Sequence, residues 1–220
     1  MISELNLNKS MELAVFNLQA VIRYDKSILR KCFLNALNDV YQLELKKKDV
    51  LWEGNSAEVL LSVTLNQFNR QPTDKEITAV GDALNQYVKI EFIQDDDLLE
   101  VRPGVQSVFR QIEKRDNWKY AIVSEYWGAV THFMLQSCGV FSKDKYTLTA
   151  DDAKGSKEQL KTLLDKSKKF DAKTEILFIN GKKKRENFLG KHIHMGKSKN
   201  KENYFTYPKF SDLLKKLKNA

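Results

Sequence analysis

Four places in the chain put chemically useful side chains at or just beyond the end of an apolar run or at the start of a helix. They are Asn17-Leu18-Gln19-Ala20-Val21 closing ELAVFNL, Ser124-Glu125 closing KYAIVS, Lys154 or Lys157 in DDAKGSKEQL, and Asn180-Gly181-Lys182 closing EILFIN. In an extended segment a spacing of two keeps the side chains of Asn17 and Gln19 on one side. Their carboxamides donate and accept hydrogen bonds, but they neither attack an electrophile nor shuttle a proton. A hydroxyl (Ser124) and ammonium groups (Lys154, Lys182) are the donors an anion needs. Carboxylates are present at Glu125, Asp151, Asp152 and Glu186, and whether they assemble a metal site is open from sequence. The run Asp95-Asp96-Asp97 reads as a solvated loop, and His132 has no Cys, His or Ser partner at a useful spacing and reads as structural.

These groups need elements to position them. Glu12 to Leu18, Lys119 to Ser124 and Glu175 to Asn180 are short, nearly continuous apolar runs, as expected of strands covered on both faces of a parallel sheet. Between the first and second, Ile28/Leu29, Cys32/Phe33, Ala36/Leu37 and Val40/Tyr41 recur at helical spacing over Lys26 to Leu45. Helices are also predicted over Ser56 to Phe68 and, after Pro72-Thr73-Asp74, over Lys75 to Val88. Three helices with no strand between them form a helical subdomain. Arg102-Pro103-Gly104 marks a turn, followed by helices at Val105 to Ile112 and Gly128 to Cys138 and a weak strand at Tyr146 to Thr149. A helix over Lys157 to Leu164, edge strands at His192 to Met195 and Tyr204 to Thr206, and a closing helix over Lys209 to Lys218 complete the reading. Such alternation predicts an α/β, Rossmann-like parallel-sheet core with an inserted helical subdomain. In such sheets functional groups gather beyond the carboxyl ends of the strands, which is where the four places fall.

With 220 residues, 42% of them hydrophobic and 30% charged, the chain excludes a disordered protein and a small disulfide scaffold. No run is long and apolar enough for a membrane span or a secretory signal, so a cytoplasmic protein without a membrane partner is expected. Cys32 and Cys138 lie among apolar residues and read as reduced core thiols. The net charge of +8 is concentrated: from Gly181 to Ala220 there are 12 Lys/Arg against 3 acids, while the rest of the chain is nearly neutral. That tail fits a polyanion, but no nucleic-acid module accompanies it and nucleic acid is not the expected partner.

Taken in order, the motifs resemble those of the haloacid dehalogenase (HAD) superfamily of phosphohydrolases, in particular members with a helical cap inserted behind the first strand. The family's first strand ends Asp-x-Asp-Gly-Thr, where this chain has VFNLQAV; its second ends in Ser or Thr, matched by Ser124 in AIVSEYW. The family lysine is matched by Lys154 or Lys157, with Lys154 favoured on register, and the fourth, acidic motif falls on ILFINGKKKREN. Gly54 is similar to a cap-loop glycine and Pro103-Gly104 to the re-entry from cap to core, so the resemblance runs from about Glu12 to Met195. It implies a core of residues 1–23 and 98–220 and a cap of residues 24–97.

Order and spacing agree with the family, whereas the reacting residues depart from it. Membership as an enzyme would require a carboxylate that attacks phosphorus and a second acid, two residues on, that protonates the leaving oxygen. Asn17 and Gln19 stand there instead, and Gly181 and Lys182 replace the fourth-motif acids. The family's magnesium is held by hard anionic oxygens, and those ligands are missing, so no cofactor is expected. The resemblance therefore implies a hydrolase fold that has lost phosphohydrolase activity and acts as a binding or regulatory pseudoenzyme. Phosphate or a phosphorylated small molecule would bind through Ser124, Lys154, Lys182 and backbone N–H groups after Asn17. The alternatives are an active phosphatase or phosphomutase using displaced acids, and a polyanion binder acting through the basic C-terminal region. Ligand identity and oligomeric state are left open.

Overall fold

From Leu13 to Phe16 every side chain is buried, so this segment has no solvent face, and only the interior of a sheet covered on both sides accepts such a strand. In the computed structural model, which describes residues 12–50, 57–115, 118–140, 147–152, 175–180, 191–195 and 204–207, it is β1 (Glu12–Asn17). The main sheet adds β4 (Trp118–Val123), β5 (Thr147–Leu148), β6 (Glu175–Asn180), β7 (Lys191–Met195) and β8 (Tyr204–Tyr207), in the order β5-β4-β1-β6-β7-β8. β1 runs parallel to β6, with Leu13 opposite Ile176 and Phe16 opposite Ile179, and the pairs β6-β7 and β7-β8 are also parallel. The α/β parallel-sheet reading of the sequence is therefore correct.

The strand order carries functional meaning. From β1 the chain builds outward through β4 to β5 on one side, then returns to lay β6, β7 and β8 on the other. The order thus reverses between β1 and β6, and at such a switch point the connections leave the strand ends in opposite directions and open a crevice at the carboxyl ends. Asn17 closes β1 and Asn180 closes β6, each one residue beyond the paired Phe16 and Ile179.

The chain divides into two compact units, with breaks at Val21/Ile22, Val101/Arg102 and Ile122/Val123. The first holds β1, the single turn α1 (Leu18–Val21), α5 (Val105–Glu113), nearly all of β4, and β6 to β8. Its core includes Phe16 edge-on to Phe109 at 5.0 Å, with Tyr120 stacked on Phe109 at 4.3 Å. Gly104, at φ 90°, turns the chain into α5, a backbone state that a Cβ would strain.

The second unit holds β2 (Ile22–Tyr24), α2 (Lys26–Tyr41), α3 (Ala57–Asn66), α4 (Asp74–Gln94), β3 (Leu99–Val101), α6 (Gly128–Ser137) and β5. Asp25 caps α2 by accepting the Ser27 N–H at 2.7 Å, and Leu29, Cys32, Phe33, Ala36, Leu37 and Tyr41 form its buried stripe. The helix ends four residues before the predicted Leu45 because Asn38 captures the chain beyond it. Its side-chain oxygen accepts the Leu45 N–H at 2.8 Å and its NH2 donates to the Leu45 carbonyl at 3.2 Å. At α4, Thr73 and Glu76 form a reciprocal capping box, and the helix continues to Gln94, beyond the predicted Val88. The Thr73 N–H holds the Glu76 carboxyl below its ordinary range. Trp127 stacks on Phe33 at 6.4 Å, and a Cβ on Gly81 would lie 3.5 Å from the same indole.

Some features differ from the sequence reading. β2 and β3 form a separate antiparallel ribbon, with Ile22 opposite Val101 and Tyr24 opposite Leu99, which brackets the helical excursion. Asp95 does more than face solvent: its carboxylate accepts the Asp97 N–H at 3.1 Å and opens a 3-10 turn over Asp96–Leu98. Cys32 is fully buried, but Cys138 is only half-buried at the end of α6, which corrects its reading as a core residue. Burial pushes both thiols up to about 11. The predicted helices over 157–164 and 209–218, and Gly54, lie outside the described residues.

Candidate functional site

Where β1 ends, the backbone makes one helical turn, and the first N–H groups of that turn have no partner within it. Asn17 occupies the capping position: its Oδ1 accepts the Gln19 N–H at 3.0 Å. A residue 83 positions away completes the arrangement. Arg102 donates from Nε to the Gln19 carbonyl at 2.6 Å, and its own backbone N–H donates to the Val21 carbonyl at 2.9 Å. Two bonds from one residue thus fix the Asn17–Val21 segment in the first unit, one of them charge-assisted. The sequence reading took Arg102 only as part of a turn. The signal available there was a lone cation directly before Pro103-Gly104.

Asn17 and Gln19 are both half-buried, at the carboxyl end of β1 beside the switch point. Their amides supply no nucleophile and no titrating oxygen. Asn180 is brought to the adjacent strand end, while Gly181, Lys182, the basic run to Arg185, and Glu186 lie outside the described residues, as do Lys154 and Lys157.

Ser124 follows β4 in the second unit and is fully buried. Its Oγ accepts the Tyr126 N–H at 3.1 Å and the Thr131 hydroxyl at 2.8 Å, and its N–H donates to the Leu148 carbonyl at 2.8 Å. The hydroxyl therefore braces the turn from β4 into α6. Glu125 is half-buried, and its carbonyl accepts the Ala57 N–H at 3.0 Å. Tyr126 packs edge-on to Tyr24 at 6.1 Å. Burial pushes its phenol up to about 12, against the opposing effect of a hydrogen bond with Tyr24.

Of the described carboxylates left open from sequence as a metal site, Asp151 and Asp152 are engaged in local structure. Asp151 Oδ2 accepts the Gly128 N–H at 2.7 Å at the start of α6, and a Cβ on Gly128 would lie 2.7 Å from that oxygen. Asp152 Oδ2 accepts the Thr149 N–H at 2.9 Å. Among the described residues no group of three or more His, Cys, Asp or Glu is placed to hold a metal ion. His132 is half-buried on α6, and its Nε2 has no hydrogen-bond partner among the described residues.

No family model and no curated protein sequence matches the chain. Solved structures do. A hydrolase from Pseudomonas syringae superposes with a TM-score of 0.62 at 16% identity, over 96% of this chain and 99% of that one. A HAD hydrolase, family IA, variant 3, from Entamoeba histolytica gives 0.59 at 14% identity, over 92% and 95%. CbbY from Rhodobacter sphaeroides, in complex with phosphate, gives 0.54 at 10% identity, over 92% and 96%. Among the described residues no helix is long and apolar enough to cross a membrane.

Proposed function

We propose that this chain, whose fold is that of the HAD hydrolases, is a cytoplasmic pseudoenzyme that binds phosphate or a phosphorylated small molecule without hydrolysing it. The observation that carries the reading is Asn17 at the end of β1, with Gln19 two residues on: both groups are neutral amides beside the reversal in strand order, where sheets of this kind bind ligands. Phosphoryl transfer to the protein needs an oxygen nucleophile, and departure of the leaving group needs a proton donor. Neither amide meets either need. Binding has no such requirement, and losing two negative charges favours a dianion at the same place. One solved relative in fold was determined with phosphate bound, which supports this ligand class.

In this reading Lys154 and Lys182 supply positive charge, and Ser124 sets the turn after β4 rather than presenting an exposed hydroxyl. The helices between β2 and β3 act as a cap that selects the ligand. The test is a phosphatase assay with generic phosphomonoesters and magnesium, beside inorganic phosphate protection against heat. The expected result is no phosphate release above a mock preparation, with thermal protection by phosphate that weakens in Lys154→Ala. Release that is abolished by Glu125→Gln or Glu186→Gln overturns the reading in favour of an active hydrolase using displaced acids.

A further inference from the structure

Helix α4 buries Val80, Leu84, Val88 and Phe92, which recur every four residues along one side. At about 100° per residue, Ile90 and Ile93 fall on the opposite side, together with the exposed Asp82 and Gln86. An amphipathic helix ordinarily carries only polar residues there. Both isoleucines stand in the open instead, Ile90 at 49% and Ile93 at 77% exposure. Helix propensity does not account for them, since a β-branched side chain forms helix less readily than Lys, Glu or Leu. The chemistry beside them is one-sided. Residues 91–100 (EFIQDDDLLE) hold five acids and no Lys or Arg. Glu91 is bound to Lys31 at 2.6 Å and Glu100 to Arg23 at 3.1 Å. Asp95 and Asp97, just past the end of α4 at Gln94, are exposed, and among the described residues no cation pairs with either. The carboxyl end of a helix already carries partial negative charge, so two carboxylates there deepen the negative potential and favour a cationic partner.

The complement is written in the same chain. Residues 181–220 carry 12 Lys/Arg against 3 acids, and within them Phe210, Leu213, Leu214 and Leu217 recur at helical spacing among Lys209, Lys215, Lys216 and Lys218. We propose that the side of α4 holding Ile90 and Ile93, with Asp95 and Asp97 at its end, is the docking surface for residues 209–218 of a second copy of this chain. The leucines cover the two isoleucines, and the lysines meet the carboxylates at the negative end of α4. An apolar centre with a charged rim is the composition of a specific interface, and the acids repel a nucleic acid from the same surface. The contact joins one region of a copy to a different region of the next, so it is heterologous. It is independent of the phosphate-binding reading above.

The experiment is sedimentation equilibrium of the full chain over a range of concentrations, with circular dichroism on each variant. Wild type is expected to self-associate at low salt with a dissociation constant of about 10 µM, and about tenfold more weakly at about 0.5 M salt. Ile93→Lys, at an exposed position, and the double variant Lys215→Glu with Lys216→Glu each stay monomeric where wild type associates. An equimolar mixture of the two associates again, because the first keeps the basic segment intact and the second keeps the α4 surface. A synthetic peptide of residues 209–220 serves if the double variant fails to fold: it binds wild type and not Ile93→Lys. Wild type that is monomeric at every concentration overturns the proposal. So does association undiminished in Ile93→Lys, a mixture of folded variants that stays monomeric, or a peptide that binds wild type and Ile93→Lys alike.

Discussion

The two turns that follow β1 and β4 spend their polar side chains differently. After β4, Ser124 is fully buried, two donors converge on its oxygen, and the neighbouring Asp151 holds the first N–H of α6. After β1, Asn17 is half-buried, gives one oxygen to the backbone, and keeps its NH2 outside that arrangement. The turn with the serine, whose hydroxyl the sequence offered to an anion, is a closed structural unit. The turn with the altered residues keeps a donor outside its own hydrogen bonding. A side chain that is entirely consumed by its own fold has little left for a ligand.

The contrast predicts different sensitivities. Ser124→Ala removes the acceptor from a part-buried N–H and a buried hydroxyl at once, and should cost about 2 kcal/mol in urea unfolding. A loss below about 0.5 kcal/mol would mean that the turn after β4 is not sealed as described.

The same turn carries a pH signature through Tyr126, whose phenol is raised to about 12 from an ordinary 10.0. Its neutral form is favoured by the folded state, so the unfolded chain loses this proton first as pH rises. The stabilisation is fully present below about pH 10 and is lost as pH climbs through about 12, a change of about 3 kcal/mol. Chemical denaturation of wild type and Tyr126→Phe across this window should show a shallower decline in the variant.

At the turn after β1 the effects on stability are smaller. Asn17→Ala removes the cap and should cost about 1 kcal/mol, while Asn17→Asp, which keeps the acceptor, should unfold within about 0.5 kcal/mol of wild type. Equal losses in the two variants would show that the cap is not what Asn17 contributes to folding.

Sequence made the fold legible where burial and periodicity coincide. The runs at β1, β4 and β6 announce strands because their central residues are apolar, Ala14 to Phe16, Ala121 to Val123 and Ile176 to Ile179, and the Leu29 to Tyr41 stripe announces a helix because it repeats with the helical turn. β2 and β3 escaped because three residues show no alternation that distinguishes a strand from a loop. At the site, residue types and their places at strand ends were readable, whereas their partners were not. That Arg102 reaches the Gln19 carbonyl, or that Thr131 and Tyr126 close on Ser124, depends on chain segments brought together by folding. The sequence therefore identified the altered positions without saying which end of Asn17 faces outward.

The most direct test of the account is the affinity of wild-type protein for inorganic phosphate measured with and without magnesium at matched ionic strength. Binding by fixed donors in a site without first-strand carboxylates predicts the same dissociation constant in both conditions, within about twofold. Phosphate binding that appears only when magnesium is present would contradict it, because the anion would then be recruited through a metal held by acids that this account leaves out of the site.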